Sequence, residues 1–311
     1  MANTAPILIP SASLAAGFAD QGRLELGFGV PATHDTAYAA AVMTDGRLVI
    51  AGVAGDDIAL ARLLGNGAPD PNFGLDGRVV SDLSGIAEAR AIALQSDGKI
   101  ILAGATDGAT NLALLRYNTA GNLDTSFGVD GKVLRSVAAG TTAESFTKVV
   151  LQPDGAIVAA GFTGSTYLIE RYTAQGALDA SFALDGSLSA YFSGTVRSEI
   201  QALALQDDGK LLVAGRVRIG SGQYDFGIAR YNPDGTLDKS FNGSGQLVLH
   251  RAAYDSLSDI QLQNDGRILL AGRTGSSSSA GDGTLIRLNA DGSLDTRFGS
   301  AGWALFHLGT D

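Results

Sequence analysis

The sequence predicts an all-β chain, a β-propeller of five blades with four antiparallel strands in each. Three observations carry this. An eighteen-residue block, RYNTAGNLDTSFGVDGKV from Arg116, recurs without a gap from Arg62, Arg171, Arg230 and Arg287, at intervals of 54, 55, 59 and 57 residues. A second block, ALQSDGKIILAG from Ala93, recurs from Ala41, Val150, Ala204 and Gln261. No stretch carries a sustained apolar period of about 3.6 residues, so almost no helix is expected.

The second block is two β-prone apolar runs around a Xaa-Asp-Gly turn. Asp-Gly between such runs is a strong hairpin signal, and the glycine supplies the positive φ that the turn needs. Each repeat then reads as four strands: b, ending near Leu94; c, Lys99 to Ala103; d, Leu112 to Tyr117; and a, Lys132 to Arg135. Four strands every ~55 residues fit a propeller, whereas a leucine-rich array gives one strand per ~20–29 residues. The chain is thus expected to be one domain over 1–311, with 1–12 a flexible segment. A degenerate half-block, SLAAGFADQGRL from Ser13, adds a sixth a strand at Arg23 to Phe28. That is one strand more than a ring of five needs. As an edge strand it invites pairing with another copy. A ring of six blades is the alternative, with too few strands to build it.

Together the two blocks resemble the Delta-60 repeat family of bacterial proteins, through LDxSFGxxGxV preceded by DGKIxxAG and RYNxxG. The likeness runs from Ser13 to about Leu308. It implies a propeller and no particular activity. Departures are local: Ala183 and Asn242 replace the glycine after Phe, and Pro69 and Pro71 bracket Asp70.

Composition narrows the partners. Net charge is −10 with no basic cluster, which argues against nucleic acid, since phosphate binding needs a Lys/Arg footprint. There is no Cys, so disulfides, thiolate metal sites and Cys nucleophiles are excluded. The start, MANTAPILIPSASLAAGF, has no basic region and only a short apolar run, so it reads as neither a signal peptide nor a membrane span. The chain is expected to be cytoplasmic, or secreted or surface-displayed by a route without such a signal.

Strand alternation sorts the loops onto two faces. The Asp-Gly turns and the RYNxxGxLDxSFG turns share one face, which repeats. There each block Arg is expected to clamp the Asp of its own blade bidentately (Arg116 with Asp124), and each block Phe to plug the space between blades. The other face carries the c–d loops and the a–b crossovers, and it varies. From the Ala-Gly glycine to the next block Arg the distance is 10, 12, 10, 15 and 15 residues, with long loops at Arg216 to Asp225 and Arg273 to Gly283. Binding residues concentrate on variable loops held by a rigid scaffold.

An acid precedes strand b in every repeat: Asp35, Glu88, Glu144, Glu199 and Asp255. If b is the innermost strand, five exposed carboxylates ring the channel mouth and are ligand-binding candidates. Glu88, Glu144 and Glu199 are the metal candidates, with calcium the cation that such oxygens suit. The competing reading is that each acid caps a crossover or pairs with a neighbour such as Arg90 or Arg197. Their distance to the Asp of the Asp-Gly turn alternates between nine and ten, so they need not point the same way. Tyr191, Tyr224 and Tyr254 fall on the same face and complete the candidate ligand site. His34, His250 and His307 also lie there, as a joint metal site or as isolated side chains. No GxSxG elbow, HExxH or Walker loop is present. The function expected is a non-catalytic binding or scaffold module for a glycan or a protein surface. The alternative is a hydrolase or lyase at the channel mouth that uses carboxylates from different blades.

Overall fold

The computed structural model describes residues 27–28, 35–83, 85, 87–137, 143–220, 222–277 and 281–307. These residues form twenty strands and no helix, five blades in chain order. Blade 1 is β1 (Asp35–Val42), β2 (Leu48–Ala54), β3 (Asp57–Leu63) and β4 (Arg78–Ser81). Blade 2 is β5 (Glu88–Leu94), β6 (Ile100–Thr106), β7 (Asn111–Tyr117) and β8 (Lys132–Arg135). Blade 3 is β9 (Glu144–Leu151), β10 (Ile157–Thr163), β11 (Thr166–Tyr172) and β12 (Ser187–Ala190). Blade 4 is β13 (Arg197–Leu205), β14 (Leu211–Ile219), β15 (Gln223–Tyr231) and β16 (Gln246–Leu249). Blade 5 is β17 (Tyr254–Leu262), β18 (Ile268–Gly275), β19 (Asp282–Leu288) and β20 (Trp303–Phe306). Within each blade the strands pair antiparallel in sequence order, and a parallel bridge from Tyr224 to Tyr254 joins blades 4 and 5. The expected sixth a strand lies outside the described residues apart from Gly27 and Phe28. So do residues 1–12, Phe18 and His34.

Each Asp-Gly hairpin closes the same way. Gln95 N–H donates to Lys99 O, Gly98 N–H donates to Gln95 O, and Gly98 takes φ +83. Asp97 stays at negative φ and its Oδ1 accepts the Lys99 N–H at 3.2 Å. This is the longer hairpin turn that ends in a left-handed glycine.

The core lies between blades. Successive residues of a strand point to opposite faces, so a middle strand feeds two junctions. Ile100 and Leu102 of β6 pack with blade 1, while Ile101 and Ala103 pack with blade 3. Four apolar clusters fill the four junctions from blade 1 to blade 5, and no such cluster joins blade 5 to blade 1 among the described residues.

The repeated turns staple these junctions. Arg62 sends Nε to Asp70 Oδ2 at 2.8 Å, Nη1 to Thr119 O of the next blade and Nη2 to Asn72 O. Arg116, Arg171 and Arg230 reach Ala174, Pro233 and Ala290 in the same way. The expected bidentate clamp is therefore corrected. Nε holds the blade's own Asp, Nη2 stays within the same turn, and Nη1 alone reaches the next blade. Each guanidinium also lies over the block Phe, 4.4 Å from the ring centroid for Arg62 and Phe73. The ring in turn sits under the next blade's turn glycine, as Phe73 does under Gly121. Phe73, Phe127, Phe182 and Phe241 are fully buried. Phe298 of blade 5 is half-buried, and Arg287 holds Asp295 at 2.9 Å with no inter-blade hydrogen bond among the described residues.

Candidate functional site

A bulge interrupts every innermost strand. The register slips between Ala37 and Ala39, Ala89 and Ala91, Ile200 and Ala202, Leu257 and Asp259, and opposite Ala160–Gly161 in β9. The partner strand must carry glycine there: a Cβ on Gly104 would lie 1.8 Å from Glu88 O. This explains the invariant Ala-Gly of the second block. A bulge re-aims a side chain. The surplus residues are Tyr38, Arg90, Thr147, Gln201 and Ser258, and all five line one axial cavity of about 310 Å³ together with Lys148 and Ser256. Each stands seven residues before the Asp of its Asp-Gly turn.

The five acids do not form the expected ring, and none of them lines the axial cavity. The bulge explains why. Asp35, Glu144 and Asp255 stand three residues before it, whereas Glu88 and Glu199 stand two before it. Glu144 pairs across the sheet with Thr163 and Asp255 with Thr274, whereas Glu88 pairs with Ala105 and Glu199 with Arg216. Side chains therefore alternate between the two faces.

Glu144 and Asp255 are fully buried, so their expected exposure at the mouth is corrected. Glu144 accepts the Val137 N–H at 3.0 Å and the Thr163 hydroxyl at 3.2 Å. Asp255 accepts N–H groups of Arg251 and Ala252 at 2.8 and 3.1 Å, and the Thr274 hydroxyl at 2.5 Å. Both cap crossovers. Glu88 is paired with Arg90, and Asp35 is exposed. Glu88, Glu144 and Glu199, the expected metal ligands, form no shared cluster among the described residues. The acidic group compact enough to hold a cation there is Asp225, His250 and Asp255, with ligand atoms within 4.8 Å of one another. His250 Nδ1 already bonds Asp225 Oδ1 at 2.8 Å, and His307 is likewise paired with Asp282 at 2.6 Å. The two described histidines thus serve separate clasps.

Glu199, Tyr224 and Tyr254, three of the expected ligand residues, do come together at the seam of blades 4 and 5. The stretch expected as a loop at Arg216 to Asp225 is instead a lengthened hairpin, with β14 reaching Ile219 and β15 starting at Gln223. This carries Arg216 and Arg218 outward on a rigid strand. The tyrosine rings lie 4.9 Å apart. The Arg216 guanidinium sits 4.8 Å over Tyr224, donates Nη1 to the Tyr254 hydroxyl at 2.9 Å and donates Nη2 to Glu199 at 3.0 Å. Burial opposes its charge, but Glu199 outweighs burial and the Arg216 pKa is raised. Glu199 also takes Arg197 Nε at 2.7 Å. Arg218 stands directly across from Arg197 on the paired strand, and its side chain has no hydrogen bond or ion pair among the described residues. Arg273 closes the seam, 5.7 Å from the Tyr254 ring. Tyr191 is exposed and lies apart from this group, as do Asp35, Glu88 and Glu144.

The two places differ in how legible they were. The seam's arginines lay in a stretch that looks like a loop. The bulge residues carry a sequence signal of their own, one polar, non-repeating residue seven positions before each Asp-Gly Asp.

One family model matches residues 44–73, 95–127, 152–182, 206–241 and 263–298, five copies in all. The chain belongs to that family, described as a domain of unknown function (DUF5122) beta-propeller. Every copy of the repeat runs from the Asp-Gly turn to the block Phe, so the family's signature is the stapled face. A search of curated proteins found no match. Among solved structures, a polysaccharide lyase, an ulvan lyase, is similar at 11% identity over 85% of this chain and 69% of that one, with a TM-score of 0.50. A protein of unknown function from Dyadobacter fermentans is similar at 14% identity over 88% and 83%, with a TM-score of 0.48. Drosophila Plexin A in complex with Semaphorin 1b is similar at 13% identity over 83% and 55%, with a TM-score of 0.43. At these identities the likeness is one of fold. No helix among the described residues is long and apolar enough to cross a membrane.

Proposed function

We propose that the protein is a non-catalytic binding module that engages a glycan through the crossover face, at the seam of blades 4 and 5. What supports this reading is the Tyr224–Tyr254 pair with Arg216 and Glu199 beside it. Paired aromatic faces offer flat apolar area to a sugar ring at low conformational cost, and the flanking guanidinium and carboxylate offer donors and acceptors to hydroxyls. Catalysis by paired carboxylates needs one acid held protonated and one ionised, both facing substrate. The crossover acids are instead engaged as caps and in ion pairs, Asp35 apart.

A glycan array probed with the full chain tests the reading. Binding to defined glycans that Tyr224→Ala and Tyr254→Ala each weaken at least tenfold is the expected result. No glycan bound, or binding indifferent to both tyrosines, would sink it.

A further inference from the structure

The axial cavity is separate from the seam, and its chemistry is specific. Its wall is built by the five bulges, which turn Tyr38, Arg90, Thr147, Gln201 and Ser258 toward the axis, and Lys148 and Ser256 stand beside them. In β5 and β13 the other residues are mostly Ala and aliphatic. Polarity on the axis therefore comes from one bulge side chain per blade, with Lys148 and Ser256 added by blades 3 and 5.

The cavity is rich in donors. Arg90, Lys148 and the hydroxyls of Tyr38, Ser256 and Ser258 face it, and no carboxylate lines it. Arg90 is partly offset by Glu88, and it lies 5.6 Å from the Tyr38 ring centroid. Lys148 has no hydrogen bond or ion pair among the described residues, although it is half-buried in a chain of net charge −10. Thr147 is held by the Ile200 carbonyl at 2.7 Å, which fixes blade 3 against blade 4 at this level. Gln201 Oε1 is buried without a donor. A half-buried ammonium without an anion and a buried acceptor without a donor are both unfavourable as they stand. One molecule carrying a carboxylate and hydroxyl groups would satisfy both.

We propose that the axial cavity binds a hydroxylated carboxylate of monosaccharide size, a uronic acid or a sugar acid of similar volume. Lys148 takes the carboxylate, with Arg90 as the second cation. Gln201 Oε1 accepts a ligand hydroxyl. The bulge hydroxyls of Tyr38 and Ser258 contact the remaining oxygens. A cavity of about 310 Å³ sits at the small end of ligand sites and suits one ring rather than a chain. This site does not depend on the seam, and each can fail alone.

Calorimetry on the full chain with glucuronate, and with glucose as its neutral counterpart, tests the proposal. The expected result is saturable binding of glucuronate, at least tenfold tighter than glucose. Lys148→Met should remove that preference, and Gln201→Leu should weaken both sugars while keeping or raising the thermal midpoint, since it deletes an unpaired buried acceptor. Tyr224→Ala should leave glucuronate binding unchanged. The proposal is overturned if millimolar glucuronate gives no saturable heat, if Lys148→Met binds it as the parent does, or if Tyr224→Ala abolishes it. That last outcome would move the sugar acid to the seam.

Discussion

Arginines on the two faces of this propeller do opposite things. On the turn face Arg62 is enclosed: Nε holds Asp70, Nη1 and Nη2 hold carbonyls, and the plane covers Phe73. On the crossover face Arg218 stands opposite Arg197 with no partner for its guanidinium, and the pair shares a neighbourhood with Arg216 and a single carboxylate, Glu199. Like charges directly across a ladder cost stability. The same residue type is a staple where the repeat surrounds it with acceptors, and an unspent donor where the repeat breaks. Repetition marks the first kind. Broken symmetry marks the second, and it leaves donors unspent.

Single substitutions should widen this contrast. Arg62→Ala leaves buried Asp70 with Arg47 as its remaining cation and takes a donor from the next blade, so unfolding stability should drop by about 3 kcal/mol, the low end for breaking a buried pair. Arg218→Ala should cost nothing and gain a little. Denaturant melts of the two variants measure the gap, and equal losses would erase the distinction.

Acid should weaken the turn face. Burial disfavours the charge on Asp124, but the Ser126 hydroxyl and N–H, with Arg116 and Lys99, outweigh it and hold the carboxyl at about 2, against 3.8 ordinarily. A depressed carboxylate pKa stabilises the folded state above the unfolded value. That stability drains away as pH falls from near 4 toward 2. Thermal midpoints followed over this range should fall for the parent and stay flatter for Asp124→Asn. Parallel curves would remove Asp124 from the account.

The crossover acids divide along the same line. Glu144→Gln replaces a buried cap that accepts the Val137 N–H, and should cost about 1–3 kcal/mol. Glu88→Gln touches a solvated pair with Arg90 and should cost less than about 1 kcal/mol. Similar melting points for the two would mean that Glu144 is not the cap its geometry implies.

The smallest effect concerns a missing staple. In four blades a cation two residues after the Asp-Gly Asp reaches the block Asp: Arg47, Lys99, Lys210 and Arg267. Blade 3 has Ala156 there, and Asp179 is the most exposed of these acids. Ala156→Lys should add up to about 1 kcal/mol. A destabilised variant would show that the turn of blade 3 is built differently from the rest.

The turn face was readable because its chemistry repeats. The Asp-Gly hairpins, the Arg–Asp–Phe spacing and the blade count all follow from residues that recur at fixed intervals. Strand ends were nearly right, with β6 and β7 extending past Ala103 and starting at Asn111. The crossover face was legible only in part. Glu199, Tyr224 and Tyr254 could be named from their positions, but a one-residue bulge decides which way each crossover acid points. The alternation of nine and ten residues hinted at that split without saying which acids turn inward. Arg216 and Arg218 sat in a Gly- and Ser-containing stretch that reads as loop, because a lengthened hairpin leaves no mark of its own. The bulge residues escaped because Ala-Gly reads as the end of a strand, and its steric meaning appears only once Gly104 is seen against Glu88 O.

The central claim is that binding belongs to the crossover face while the turn face only holds the ring. Backbone amide shift mapping with a glycan found on the array tests it most directly. The account predicts perturbed amides around Arg216–Ile219, Gln223–Phe226 and Tyr254–Ser256, with the five Asp-Gly turns unmoved. Perturbations centred on those turns would contradict it and would make the repeated face the functional one.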